Sequence, residues 1–264
     1  MTLDPRNDCV YGHARYTALY DLELGDFCED LPFYRKHLPA TPCAILELGC
    51  GTGRVSRALA ADGHRLTGID LSLPMLAAAA HASSAPAPQY ACMDMTTLAF
   101  RATFGAIIAP YNTLNLLTNP DALHICLSQV RHLLAQDGVL LLQLYIPDRE
   151  LRALEGKKRF QFRIFDRPDG SKVIKEILKN IRPHSDLVEI TERYHLRFRK
   201  DQPNEDWQYT YRILGYGFEQ WRKILAEQGF CLEAAYGDYD FAPFLPEEHT
   251  SLLVAAKKAA GSPK

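Results

Sequence analysis

The residue types best arranged for chemistry lie in Glu47-Leu48-Gly49-Cys50-Gly51-Thr52-Gly53. Three glycines at alternate positions let backbone approach a ligand closely. The apolar run Cys43–Leu48 leads into them and reads as a buried strand. Arg54–Ala61, with Val55, Ala58 and Leu59 on one face, reads as the helix behind them. Its N-terminus offers free N–H groups and a positive dipole end, suited to a carboxylate or a phosphate. Asp70 stands about twenty residues beyond Gly49, at the end of the next expected strand, where a carboxylate can accept both ribose hydroxyls of a nucleoside. These features alone also fit a nicotinamide dinucleotide. Spacing separates the two: G-x-G-x-x-G would need glycine at Arg54 or at Ser56, so the pyrophosphate cradle is incomplete.

The elements around this loop alternate. Strands are expected at Arg65–Ile69, Gln89–Cys92, Phe104–Ala109 and, after an Asp137-Gly138 turn, Val139–Leu144. Helices are expected at Thr17–Leu38, Pro74–His81 and Ala122–Leu134. Such alternation predicts a parallel sheet with helices on both faces and ligands at the carboxyl ends of its strands. The pattern changes after about Pro147. Phe160–Asp166, Val173–Ile181, Leu187–Phe198 and Trp207–Leu214 read as antiparallel strands in which charged residues alternate with aromatic and aliphatic ones. Phe218–Gln228 returns to helix, Phe230–Tyr236 and Ser251–Ala256 complete the core strands, and Lys257–Lys264 reads as a frayed tail. The expected fold is α/β: a Rossmann-like, doubly wound, mostly parallel seven-stranded sheet with an N-terminal lid helix and an antiparallel β insert. Residues 1–147 and 215–264 would form the ligand-binding domain, with 1–42 as the helical lid. Residues 148–214 would form the insert, covering substrate or building an oligomer interface, which leaves a homodimer open.

Composition bounds the partners. The 264 residues carry a formal net charge of −2, which supplies no general attraction for nucleic acid or an anionic membrane. No stretch is long and apolar enough to span a bilayer. Seven cysteines with no C-x-x-C pair, behind a start that carries no apolar leader, point to reduced thiols and a cytoplasmic location. The nine histidines show no metal-ligand spacing, so no metal is expected.

Five ordered motifs carry a resemblance. "ILELGCGTGR" at Ile45–Arg54, "GIDLS" at Gly68–Ser72, "CMDM" at Cys92–Met95, "FGAIIAPYN" at Phe104–Asn112 and "LLAQDGVLLLQL" at Leu133–Leu144 together resemble the class I S-adenosylmethionine-dependent methyltransferases of the small-molecule type. The resemblance covers roughly Tyr11–Leu144 and resumes at Phe218–Lys257. It implies S-adenosylmethionine as cofactor and S-adenosylhomocysteine as product. Gly49, Gly51 and Gly53 would line the methionine part and Glu47 would act near its amino group. Asp70 would hold the ribose, with Leu71 against the adenine. Asp94 would accept from the adenine amino group and Met95 would donate a backbone N–H, although a turn carboxylate and a core methionine are the plain alternatives. Tyr16 and Tyr20, one helical turn apart in a segment like the family's lid helix, can face the same cavity, and the resemblance implies that one of them contacts the cofactor carboxylate or lies beside the transferring methyl; aromatic packing is the alternative.

Pro110, Tyr111 and Asn112 follow the fourth strand, where the reacting atom sits in this family. They depart from the N/D-P-P-Y order of enzymes that methylate base amines, which argues against nucleic acid. Asn115, Tyr145, His195 and Tyr216 are further substrate-pocket candidates; a solvated strand position is the alternative for His195. "YGDYD" at Tyr236–Asp240 has no assignable role. No His or Glu stands out as a base, so methyl transfer to an amine of a small molecule, governed by position, is favoured over an oxygen acceptor. An RNA or tRNA methyltransferase and a non-catalytic cofactor-binding member are the alternatives.

Overall fold

A computed structural model describes residues 14–154, 156–167, 169–181, 184–198 and 203–260. The start of the expected lid, 1–13, and the tail end, 261–264, lie outside them. Among the described residues two helices come first, α1 (Ala14–Leu24) and α2 (Leu31–His37). The continuous helix expected over Thr17–Leu38 is therefore broken at 25–30. The Gly25 amide still closes the last turn of α1 on the Asp21 carbonyl, and Pro32 sits in the first turn of α2, where its missing N–H costs nothing.

The core then runs β1 (Ala44–Leu48), α3 (Arg54–Ala61), β2 (Arg65–Asp70), α4 (Leu73–Ala82), β3 (Gln89–Cys92), β4 (Phe104–Ala109), α5 (Pro120–Leu133) and β5 (Leu134–Tyr145). After a short helix α6 (Arg149–Ala153) come β6 (Arg159–Asp166), β7 (Lys172–Ile181), β8 (Leu187–Arg197) and β9 (Glu205–Leu214). Helix α7 (Phe218–Glu227), β10 (Phe230–Tyr236) and β11 (Ser251–Lys258) complete the chain.

Seven strands form one sheet in the order β10-β11-β5-β4-β1-β2-β3, parallel except where β11 meets β5 and β10. Both faces are covered. Leu46, Leu48, Leu140 and Leu142 point to the side of α5 and α7, and Ile45, Val139 and Leu141 to the side of α2 and α3. This is why the strands read as unbroken apolar runs rather than alternating ones. The Asp137-Gly138 turn survives as a bulge: Phe104 to Ala106 on β4 faces Leu134 to Val139 on β5. Lys257 and Lys258 are not frayed, because they pair with Val139, Cys231 and Phe230.

The chain leaves β1 toward β2 and β3 and returns to β4 on β1's other side. The crevice at that reversal, at the carboxyl ends of β1 and β4, is where such sheets bind ligands. Strands β6 to β9 form a separate antiparallel sheet in sequence order. Its inner face packs on α1 through Tyr194, Leu196 and Trp207 against Leu19 and Leu22. Its outer face leaves Phe160, Phe162 and Ile164 exposed along the edge strand β6. Among the described residues no helix is long and apolar enough to cross a membrane.

Candidate active site

Between the carboxyl ends of β1, β2 and β4, the helix α1 and the inner face of the β6–β9 sheet lies a cavity of about 650 Å³. The glycine-rich loop forms its floor. Gly49 and Gly51 have φ of +60° and +53°, in the left-handed region. A Cβ at Gly49 would also run into the Thr113 side chain, so glycine is required there for both reasons. Asp70 locks the loop: its Oδ2 accepts from the Gly51 amide at 2.8 Å and its Oδ1 from the Ser72 amide at 2.8 Å. Burial pushes the Asp70 carboxyl up, and these backbone donors oppose the rise. A carboxylate has further lone pairs, so Asp70 can hold the loop and still accept from a ligand in the cavity.

Glu47 is almost fully buried, lines the same wall and accepts from the Ser56 hydroxyl. Burial pushes its pKa up to about 7, with the Ser56 hydrogen bond working the other way. The Thr52 hydroxyl is buried in the wall and has no partner among the described residues. Leu71 and Leu73 line the rim and stay 43% and 67% exposed, an apolar surface on which a flat ring can lie. Met93 and Met95 complete that side. An acidic acceptor, a buried carboxylate, an unpaired hydroxyl and an apolar slot in this order fit the ribose, the ammonium and carboxylate ends and the adenine of S-adenosylmethionine.

Tyr16, Tyr20, Pro110, Tyr111, Asn112 and Tyr145 also reach the wall. Tyr16 meets Tyr209 of β9 edge to face at 5.6 Å, which ties the lid to the second sheet. Tyr111 and Asn112 hold φ of 47° and 65°, a costly conformation for residues with a side chain. Gln143 sustains it: the Asn112 amide donates to its carbonyl at 3.0 Å and the Tyr111 amide to its Oε1 at 3.3 Å. The Gln143 side chain in turn donates to the Tyr239 hydroxyl at 2.8 Å, which gives "YGDYD" a positioning role.

Other expected residues are placed elsewhere. Gly53 and Asp94 are not in the wall. Gly53 precedes α3 with φ of +75°, and Asp94 Oδ1 accepts from the Thr96 amide and hydroxyl. Asn115 is a buried clamp that donates to the Tyr145 and Leu214 carbonyls and accepts from the Tyr145 amide. Tyr216 packs edge to face on Trp221 in the core. His195 lies on the outer face of the second sheet against Asp206 and Glu176.

Several wall residues had no counterpart in the sequence reading. Arg54 lines the cavity and forms a two-pronged pair with the fully buried Asp30, both contacts at 2.7 Å, and also donates to the Phe27 carbonyl. Its position directly after the glycine loop was the available signal; nothing marked Asp30. The roof contributes Arg163, Lys175, Lys179 and Glu192, and α1 contributes Glu23. Burial works against the charge on Lys175, but Glu192 and Glu23 outweigh it and hold the ammonium above its usual range. Burial likewise holds the Tyr20 phenol well above the ordinary tyrosine range.

A model of the methyltransferase domain family matches residues 45–138. A relative of Geobacillus sp. (strain WCH70), named provisionally as a methyltransferase, is 29% identical over 218 residues, 81% of this chain and 84% of its own. Solved structures that share the fold include two named for action on sugars. One is S-adenosylmethionine-bound CalS10 of Micromonospora echinaspora, an amino pentose methyltransferase of calicheamicin biosynthesis; TM-score 0.72, 21% identity, 92% of this chain and 97% of that one. The other is KedS8 of a Streptoalloteichus species, a sugar N-methyltransferase; TM-score 0.69, 17% identity, 92% and 93% covered.

Proposed function

We propose that this chain, a class I S-adenosylmethionine-dependent methyltransferase, moves the methyl group to a nitrogen of a small-molecule acceptor by in-line displacement, with oxygen as the competing acceptor atom. The observation that carries the reading is the roof. Ile177, Ile190, Tyr211 and Ile213 close the cavity beyond the glycine loop with apolar surface, interrupted by Gln161, Arg163, Lys175, Lys179 and Glu192, a setting for a small polar molecule. The fold neighbours that act on amino pentoses and sugar nitrogens make amine-bearing sugars the first class to test.

The cofactor, when bound, supplies a methyl group already activated on a sulfonium. The chain supplies place and charge. Asp70 takes the ribose hydroxyls, Glu47 the ammonium, and Leu71, Met93 and Met95 the adenine. Tyr16, Tyr20, Tyr111 and Asn112 surround the point of transfer, exclude water and orient the nucleophile. A panel of amino sugars, simple amines and phenols, run with methyl-labelled cofactor and read by mass spectrometry, is expected to give label on nitrogen. Label found only on oxygen would sink the amine preference, and turnover of tRNA alone would replace the small-molecule reading.

Glu47 sets a pH dependence. With a pKa of about 7, it is largely neutral at pH 6 and ionised at pH 8. The cofactor's ammonium favours the ionised form, so affinity for S-adenosylhomocysteine is expected to rise by up to roughly tenfold between pH 6 and 8. Glu47→Gln should flatten that rise in calorimetric titrations. A wild-type affinity independent of pH over this range would remove Glu47 from the ammonium contact.

A further inference from the structure

The cavity-facing side of β6 and β7 sets like charges directly opposite each other twice, Arg163 across from Lys175 and Arg159 across from Lys179. Like charges in opposed positions repel. The first pair is answered by protein carboxylates. Glu23 from α1 accepts from Arg163 at 2.8 Å and from Lys175 at 2.6 Å, and Glu192 lies 2.8 Å from Lys175. The second pair has one carboxylate, Asp148, and it sits on Arg159. Among the described residues the Lys179 ammonium has no carboxylate partner; it rests 4.7 Å from the centre of the Tyr145 ring. Burial lowers its pKa to about 8 and the Arg159 charge adds to the fall, while Asp148 and Glu192, neither in contact with it, offset only part of the loss.

Among the described residues two more donors in this place have no acceptor. The Tyr145 hydroxyl is buried and unpartnered on a side chain that lines the cavity, and Nε of Arg159, outside the lining, is buried and unpartnered too. Arg159 acts electrostatically on both Tyr145 and Lys179, which places the three together. Buried donors left unmatched are costly, and a ligand in the cavity that brings lone pairs and negative charge can answer Lys179 and the Tyr145 hydroxyl, with the Arg159 charge adding to its attraction.

We propose that Lys179 and the Tyr145 hydroxyl, backed by Arg159, form an anion subsite at the acceptor end of the cavity, so that the methyl acceptor carries a carboxylate or a phosphate besides its nucleophilic atom. The inference rests on reading this end of the cavity as the acceptor site, and its test is independent of turnover. Benzoate, phenyl phosphate and the neutral isostere benzamide are titrated calorimetrically into the free protein and into protein saturated with S-adenosylhomocysteine. At least one acid is expected to bind, and which one identifies the carboxylate or the phosphate; benzamide is expected to bind roughly tenfold more weakly or not at all. Lys179→Met should abolish the preference for acid over amide, Tyr145→Phe should reduce it, and Lys179→Arg should keep it. All three variants should retain wild-type affinity for S-adenosylhomocysteine, which shows that the fold and cofactor end are intact. Equal binding of acid and amide, no binding of any probe, or an acid preference that survives Lys179→Met overturns the subsite. Failure of the wild type to bind S-adenosylhomocysteine strikes the cofactor assignment instead, and the titrations of free protein still decide the subsite.

Discussion

Asp70→Ala is expected to weaken S-adenosylmethionine and S-adenosylhomocysteine binding by about 1.5–3 kcal/mol, roughly ten- to a hundredfold. Two losses combine. The ribose loses a charged acceptor, and the Gly51 and Ser72 amides lose the carboxylate that fixes the loop and the turn into α4. Asp70→Asn separates them. Its amide oxygen can still accept from one amide, but its NH2 faces the other as donor against donor. The loop should therefore loosen even in this near-isosteric variant, and affinity should fall between wild type and the alanine variant. Calorimetry with both ligands, and NADH as a control expected to give no response, checks this. Unchanged affinity in Asp70→Ala would remove the ribose assignment.

Asp30→Ala is expected to produce the largest loss of stability, about 3–5 kcal/mol, because it strands the Arg54 guanidinium in a nearly dry site. For a chain of this length that is a fall in Tm on the order of 10 °C. Burial opposes the Arg54 charge and Asp30 restores it, to the point of lifting its pKa above the usual arginine range. The pair also carries architecture: Arg54 starts α3 directly after the glycine loop and draws in the Phe27 carbonyl and the start of α2. Replacing both partners, Asp30→Leu with Arg54→Met, should cost less than Asp30→Ala alone, since no orphaned charge remains. Thermal melts of the three proteins test the idea. A double variant as unstable as the single one would show that the ion pair is not the source of the loss.

How much was readable in advance depended on how local the determinant was. Glu47, Gly49, Gly51 and Asp70 lie on one strand-turn-helix unit and the strand beside it, where backbone geometry fixes the relation between spacing and place. Their types and intervals therefore announced a nucleoside site, and the structure sets all four around one cavity. The same alternation of apolar runs and helices announced the doubly wound sheet, whose order only the tertiary structure gave. Misplaced residues share a cause. Asn115 and Tyr216 belong to types that suit a pocket or a core equally, and their neighbours in space decided for the core. His195 was decided by strand phase: it falls on the outer face, while Tyr194 beside it falls inside.

The roof of the cavity, proposed as the acceptor end, was the least legible part. The pairing of Arg159 with Lys179 and of Arg163 with Lys175 arises from antiparallel register, and Glu23 meets Lys175 across 152 positions of chain. In the sequence the four basic residues are charges alternating with aromatic and aliphatic ones along or beside expected strands, and Glu23 is one acidic residue of an expected helix. Folding that face over the sheet ends set them in a charge pattern in which, among the described residues, Lys179 has no carboxylate in contact. The sequence by itself determined the glycine-loop floor of the cavity, because a turn between a strand and a helix is a local object. Only the tertiary structure decided its charged roof, because desolvation and charge balance are properties of what folds against a residue, not of its place in the chain.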